Sequence, residues 1–415
     1  MMQRYSFLAL ARHAVNGKRR WTRAIRAAEL QSGYDAIVVG GGGHGLATAY
    51  FLARDHGLRR VAVLEKGAIG HGNSGRNTQV VRSDYYHLPS SRFFERSLQL
   101  YEGLSRELNY NIMLSQRGKI TLAHSPHELE FLRRSVNACR MNGVDSELLT
   151  PKDLRRIEPA LNLGSRHPVM GGAVQWRGGI ARHDAVVWAF ARAASALGVD
   201  IVQGCEVTGF RIEGGRVRGV ETTLGPVSAA KVCLAVAGHS SVLAAKAGVK
   251  LPISSIALQA MVTEPVKPLL DTVMMSAAIH GYVSQTDRGE IVIGGGADVH
   301  ASYAQRGGLP NFEANAQAAV ELFPCLSRLR VMRQWAGLVD ISPDTSPVMG
   351  PTPVGGLYVS AGWGTGGYKA IPAGGETMAW TLVNGRPHEL IAPFGLDRFT
   401  TGALVDEGAA SGVAH

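Results

Sequence analysis

A chain of 415 residues, 45% hydrophobic and 18% charged, has the composition of a globular protein and is long enough for two domains. No apolar run approaches the ~18 residues needed to span a bilayer. The four cysteines, Cys139, Cys205, Cys233 and Cys325, are too scattered for a zinc or disulfide framework and read as buried thiols of a cytoplasmic protein. The formal charge of +10 is spread along the chain without an aromatic-interleaved basic stripe, which argues against nucleic acid and leaves anionic small molecules and partner proteins.

Residues 1–33 form a basic arm, with Arg4, Arg12, Lys18, Arg19, Arg20, Arg23 and Arg26 against the single acid Glu29. Its apolar stretch Phe7–Ala11 is too short, and too soon followed by charge, for a secretory signal. An arm laid against another subunit is the preferred reading. An organelle presequence, a membrane-surface helix and a solvated tail are the alternatives.

The stretch Tyr34–Glu65 organises the chain. Ala36–Val39 is a short β-branched run with the length and flanks of a buried parallel strand. Gly40, Gly42 and Gly45 then spell GxGxxG, and a small-residue helix follows over Leu46–Ala53. The first glycine permits the tight turn, the second lets backbone approach a pyrophosphate, and the third lets helix and strand pack closely. The helix N-terminus offers free N–H groups and a positive dipole end to phosphates. A second strand, Val61–Leu64, delivers Glu65, placed to hold ribose hydroxyls. Strand, helix, second strand and acid in register make this an ADP-binding site.

The polar loop after Glu65 supplies Asn73, Ser74, Arg76, Asn77 and Thr78 as donors for a diphosphate or an isoalloxazine edge. Gln79–Val81 directs Arg82 inward, where a guanidinium wants a carboxylate or phosphate. Helices are expected over Phe93–Leu108, Pro126–Asn142, a short turn capped by Thr150 and Pro151, Ala185–Leu197, Phe312–Phe323 and Glu376–Val383. Strands are expected at Gly118–His124, within Gly171–Gly179, over Ile201–Thr208, in a hairpin across 209–230, and at Val232–Ala237. Pro252–Pro265, Val273–Gly296, Arg333–Val339 and Leu357–Ser360 also have β character. Segments of α/β type at both ends bracket a β-rich middle, the pattern of a dinucleotide domain interrupted by a second one.

The separated motifs GGGGHG, SGRNT, VAGHSS and GWGTGGYK together resemble the D-amino-acid-oxidase-like flavoproteins, and within them most closely the β subunits of heterotetrameric sarcosine oxidases. The likeness covers nearly the whole chain. It implies an α/β fold in which a Rossmann-like FAD-binding domain of glutathione-reductase/D-amino-acid-oxidase type is interrupted by a β-rich substrate domain. The FAD domain is assigned to 34–120, 171–250 and 331–395, the substrate domain to 121–170 and 251–330, and a tail to 396–415. The resemblance also implies a noncovalent FAD, a covalent FMN near an α subunit, small γ and δ subunits, and an N-methyl amino acid as substrate. Position by position, Gly42, Gly43, His44, Glu65, Asn73, Arg76 and Asn77 match the family's FAD contacts. Val207 matches its adenine clamp, and Gly364, Gly367 and Lys369 its contacts beneath the isoalloxazine. His183 matches the histidine joined to FMN, and Arg333 a residue on that FMN's phosphate. Single-chain relatives tether FAD through a cysteine on the strand corresponding to Gln334–Leu338; here it reads QWAGL, so covalent FAD is not expected.

Lys369 stands at a glycine-rich helix entrance, where an ammonium can hold a substrate carboxylate or assist reoxidation of flavin. The helix dipole there favours the anion formed on reduction. Arg82 is the second carboxylate anchor, a structural ion pair being the alternative, and Tyr282 a pocket wall or core residue. No metal and no dedicated base are expected. Other readings are a proline-, dimethylglycine- or opine-oxidising subunit, a NAD-dependent dehydrogenase, and a flavin carrier without catalysis of its own.

Overall fold

The computed structural model describes residues 7–16 and 23–405. Arg4, Lys18, Arg19 and Arg20 of the basic arm, and the tail beyond 405, lie outside them. Phe7–Asn16 is a helix that leaves Phe7, Leu8, Leu10 and Val15 exposed. The arm's last part runs along the body, where Arg26 bonds Asp200 and the Gly198 carbonyl.

The buried run AIVV forms the strand Ala36–Val39, the centre of a six-stranded sheet. Its order is Val348–Pro351, Leu357–Ala361, Val232–Leu234, Ala36–Val39, Val61–Glu65, Asp200–Gln203. The pairings are parallel except at the Val348–Pro351 edge. Side-chain alternation serves two cores. Ala36 and Val38 pack with the helices Gly43–His56, His183–Ala196 and Ile371–Asn384; Ile37 and Val39 pack toward Val207, Val217, Val220 and Val227. Those valines belong to a four-stranded sheet ordered Gly33–Tyr34, Val227–Ala229, Arg216–Thr222, Val207–Glu213. Both faces of the parallel sheet are thereby covered, as such sheets require.

An eight-stranded, mostly antiparallel sheet forms the second half, ordered Val331–Ile341, Ser254–Pro265, Glu290–Ala301, Gly281–Gln285, Val273–Ser276, Lys119–Ala123, Gly171–Gln175, Glu147–Leu149. One of its faces packs on the helices Pro151–Ile157 and Leu309–Leu322. The first is closed by a reciprocal capping box of Thr150 and Asp153. The apolar stripe of the helix Leu88–Glu107 is buried at Phe94, Leu98, Tyr101 and Leu104.

Some expectations differ from what is observed. The single strand over Ile201–Thr208 is two, because Gly204 takes φ +71° and turns the chain from the six-stranded into the four-stranded sheet at Val207. Lys119–Ala123, Gly171–Gln175 and Val331–Ile341 pair into the eight-stranded sheet, whereas the division set out above groups Lys119, 171–175 and 331–341 with the nucleotide-binding segments. Cys139, Cys205 and Cys233 are buried, but Cys325 is exposed. No helix among the described residues is long and apolar enough to cross a membrane.

Candidate active site

A cavity of about 730 Å³ lies where the two large sheets meet. At its nucleotide end, Gly40 has φ +110° and any Cβ there would sit 2.4 Å from the Ala235 carbonyl oxygen. A Cβ on Gly45 would fall 1.9 Å from the Gly40 oxygen, so this glycine is a packing requirement behind the turn. Gly42 is the N-cap of the helix Gly43–His56 and lines the cavity, as do Gly40, Gly43 and Val207. The Glu65 carboxylate accepts from Gly41 N–H at 2.7 Å and Gly67 N–H at 2.8 Å, and its remaining lone pairs face the cavity wall it helps to form.

The polar loop is tied down from both sides. Ser74 Oγ accepts from Gly43 N–H at 2.9 Å, and Asn73 exchanges hydrogen bonds with the backbone of Leu338, on the edge strand of the other sheet. Asn77 bonds the Ser74 carbonyl and caps Gln79 N–H, while Arg76 donates to the carbonyls of His71 and Gly72. Asn73, Ser74, Arg76, Asn77 and Thr78 all face the cavity. Across from them the segment after Ala361 turns twice in 3₁₀ fashion before the helix Ile371–Asn384 begins, and Gly364 takes φ +49°. His44 stacks on Trp363 at 4.1 Å and donates from Nε2 to the Gly367 carbonyl at 2.8 Å. Burial pushes its pKa down to about 4, so the ring is neutral.

The same cavity wall carries two basic side chains, Lys369 and Arg82. Lys369 is 6% exposed and donates to the Thr365 carbonyl at 2.9 Å. Burial, with Arg82 and Lys119 nearby, holds its pKa well below the ordinary lysine range despite Asp84. Arg82, 5% exposed, bonds Asp84 at 2.7 Å and lies over the Tyr85 ring. Tyr282 lines the same space, its hydroxyl bonded to Thr78 and its pKa raised by burial to about 12. Its ring lies where a Cβ on the facing Gly294 would be, only 2.0 Å from the hydroxyl oxygen.

Three comparisons bear on this arrangement. A profile described as FAD dependent oxidoreductase matches residues 35–380. The sarcosine oxidase subunit beta of Rhodobacter capsulatus is 50% identical over all 415 residues, covering the whole of both chains. That of an Arthrobacter species is 51% identical over 93% of this chain and 96% of its own. This chain belongs to the FAD-dependent oxidoreductase family. Among solved structures, an L-proline dehydrogenase from P. horikoshii superposes with a TM-score of 0.85 at 27% identity, over 90% of this chain and 100% of that one. A glycine oxidase from Geobacillus kaustophilus gives 0.81 at 25% identity, over 89% and 99%.

The residues present fit FAD. Three buried polar atoms without protein partners, His44 Nδ1, Ser360 Oγ and Trp363 Nε1, belong to residues of the cavity wall, as expected of a site built around a polar cofactor. The N-termini of two helices, at Gly43 and Ile371, meet there closely enough that a Cβ on Gly43 would strike the Ile371 side chain. Three residues of the sequence reading lie off the cavity: Gly45, behind the turn, and two more distant ones, His183 and Arg333. His183 opens the helix His183–Ala196, beside Gly75, with Nδ1 buried and unpartnered. Burial lowers its pKa, which favours the neutral ring. Arg333 is exposed on the edge strand, near enough to Arg76 to act on it electrostatically. The sequence reading missed Asp84, Lys119 and Asp340. Asp340, buried on the cavity wall, accepts from Gly362 N–H at 2.7 Å, and burial pushes its pKa up to about 7. For Asp340 a charged residue inside the otherwise apolar run GLVDI was the available signal.

Proposed function

We propose that this chain is the β subunit of a heterotetrameric sarcosine oxidase and oxidises sarcosine at the cavity described above. The observation that carries the reading is the pair of buried basic side chains, Arg82 and Lys369, on the wall of an FAD cavity. Arg82 brings the standing charge of a carboxylate receptor, an incoming anion favours the protonated form of Lys369 that burial disfavours, and Tyr282 lines the same wall. Clamping the carboxylate fixes where the N-methyl group points, which is the protein's main contribution to rate. FAD, when bound, supplies the hydride acceptor. The resulting imine is hydrolysed to glycine and formaldehyde, or passes its carbon to folate on a partner subunit.

The half-identical relatives are each one subunit of a sarcosine oxidase, and α, γ and δ subunits would be the partners of this chain. A covalent FMN on His183, with Arg333 on its phosphate, would supply the exit for electrons toward oxygen. Support for it is the buried, unpartnered Nδ1 of His183 on a ring that burial keeps neutral, together with the likeness to the family's flavin-bearing histidine. The loop 73–78 faces the FAD cavity and also meets His183 through Gly75, so an FMN on His183 would stand behind the loop that lines the FAD site.

A second reading, an L-proline-oxidising subunit, is favoured by the TM-score of 0.85 to the proline dehydrogenase. Anaerobic mixing of the flavin-loaded assembly with sarcosine, proline and dimethylglycine in turn, followed by flavin absorbance, separates the two. Bleaching by sarcosine at the lowest concentration is expected. Bleaching by proline alone overturns the sarcosine assignment.

A further inference from the structure

We infer that Lys119 is a positioning residue that keeps Arg82 able to receive a substrate carboxylate although Arg82 is already paired with Asp84. The inference rests on the carboxylate-receptor reading given above. Arg82 lines the cavity, whereas Asp84 and Lys119 stand behind it. Asp84 Oδ1 accepts from Arg82 at 2.7 Å and Oδ2 from Lys119 Nζ at 2.8 Å; Lys119 also donates to Thr121 Oγ1 at 2.5 Å. The side chains of Arg82 and Lys119 are 6% and 4% exposed, that of Asp84 14%, so water screens this trio poorly.

Charge counting shows why the lysine matters. Arg82 and Asp84 alone make a neutral pair, and an incoming carboxylate would then compete with Asp84 for one guanidinium. With Lys119 protonated the trio carries one net positive charge and Asp84 has a second cation to satisfy it; burial lowers the Lys119 pKa, and the adjoining Asp84 carboxylate opposes that shift. Burial alone would raise the pKa of Asp84, but Lys119 and Arg82 reverse this and hold it at about 2, so the carboxylate stays ionised. Geometry is fixed as well. The Arg82 guanidinium rests 4.4 Å from the Tyr85 ring centre, and that ring stacks on Phe94 at 3.8 Å. Lys119 begins the strand Lys119–Ala123, held in register by Gln175 on one side and Val273 on the other. The lysine of one sheet thus orients the loop arginine that meets the substrate.

Methoxyacetate has the shape of sarcosine, a carboxylate and no oxidisable amine; methoxyacetamide is its uncharged counterpart. Their dissociation constants are measured on the flavin-loaded assembly from the perturbation of the flavin spectrum. In Lys119→Met the carboxylate should bind roughly 30-fold more weakly, as when one member of a buried charge network is truncated, with the amide unchanged. Lys119→Arg should restore binding. Asp84→Asn, nearly isosteric and able to carry the test where Lys119→Met fails to hold FAD, should bind the carboxylate more tightly than wild type. Parallel loss of both ligands in Lys119→Met, or no gain in Asp84→Asn, overturns the inference. Failure of the wild type to prefer carboxylate over amide would instead overturn the substrate reading on which it rests.

Discussion

The Lys369 side chain donates to the Thr365 carbonyl, and burial with Arg82 and Lys119 pushes its pKa well below the usual lysine range. Between that lowered value and the ordinary one, the unfolded chain holds a proton that the folded chain lacks. Stability therefore rises with pH through this window and is least below it. Lys369→Met removes the dependence, so its melting temperature should exceed that of wild type most at the acid end. The same variant should need roughly 10–100 times more sarcosine for half-maximal anaerobic reduction, the loss of one charge-assisted hydrogen bond. An unchanged requirement would make Lys369 a bystander. On the nucleotide side, Glu65→Ala leaves Gly41 and Gly67 N–H without their acceptor, and would also remove the ribose contact proposed for this carboxylate. FAD retention after dialysis should weaken by about 1–3 kcal/mol, with Glu65→Gln intermediate. Lys369 and Glu65 are legible in sequence because each stands at a fixed place in a local motif. Lys119 is not, since its partner Asp84 is 35 residues away and belongs to another element.

Elements were read from local pattern, and where pattern is local it suffices. The helix Gly43–His56 follows its glycine motif, and Leu88–Glu107 and Pro126–Met141 match the apolar periods expected of them. Pairing between strands depends on distant residues, which is why the sheet membership of Val331–Ile341 could not be read from its β-branched run alone. The contact between Gly43–His56 and Ile371–Asn384 is a second feature hidden from a single segment. A Cβ on Gly375 would lie 2.4 Å from Ala47 Cβ and 2.7 Å from its carbonyl carbon, so two helices that both open on the FAD cavity approach through glycine and alanine. Gly375→Ala should force them apart. The expected cost is about 1–3 kcal/mol, as for overpacking elsewhere, seen as a lower melting temperature together with weaker FAD binding. A variant with unchanged melting and flavin content would show that the pair tolerates separation.

At the scale of the whole molecule, the seam between the sheets supplies one flavin cavity, and the histidine assigned to a second flavin lies outside it. His183 is separated from the cavity by the loop 73–78, and Arg333, on the exposed edge strand, is not covered by any part of the described chain. An FMN joined to His183 would meet only the helix start and the exposed Arg333 on the described chain, so the α subunit would have to supply the rest of its site. The coexpressed assembly is therefore the material to test. Acid precipitation should release FAD into the supernatant and leave a yellow pellet, with one FMN added to the mass of the peptide that contains His183. His183→Asn should leave a colourless pellet, since an amide nitrogen is no nucleophile, while FAD is still released and still reduced by sarcosine. Turnover with oxygen should fall far more than that reduction, because the two flavins would serve different half-reactions. A colourless pellet from the wild-type assembly, or FMN on a peptide lacking His183, would leave this chain with FAD alone and return the electron acceptor to question.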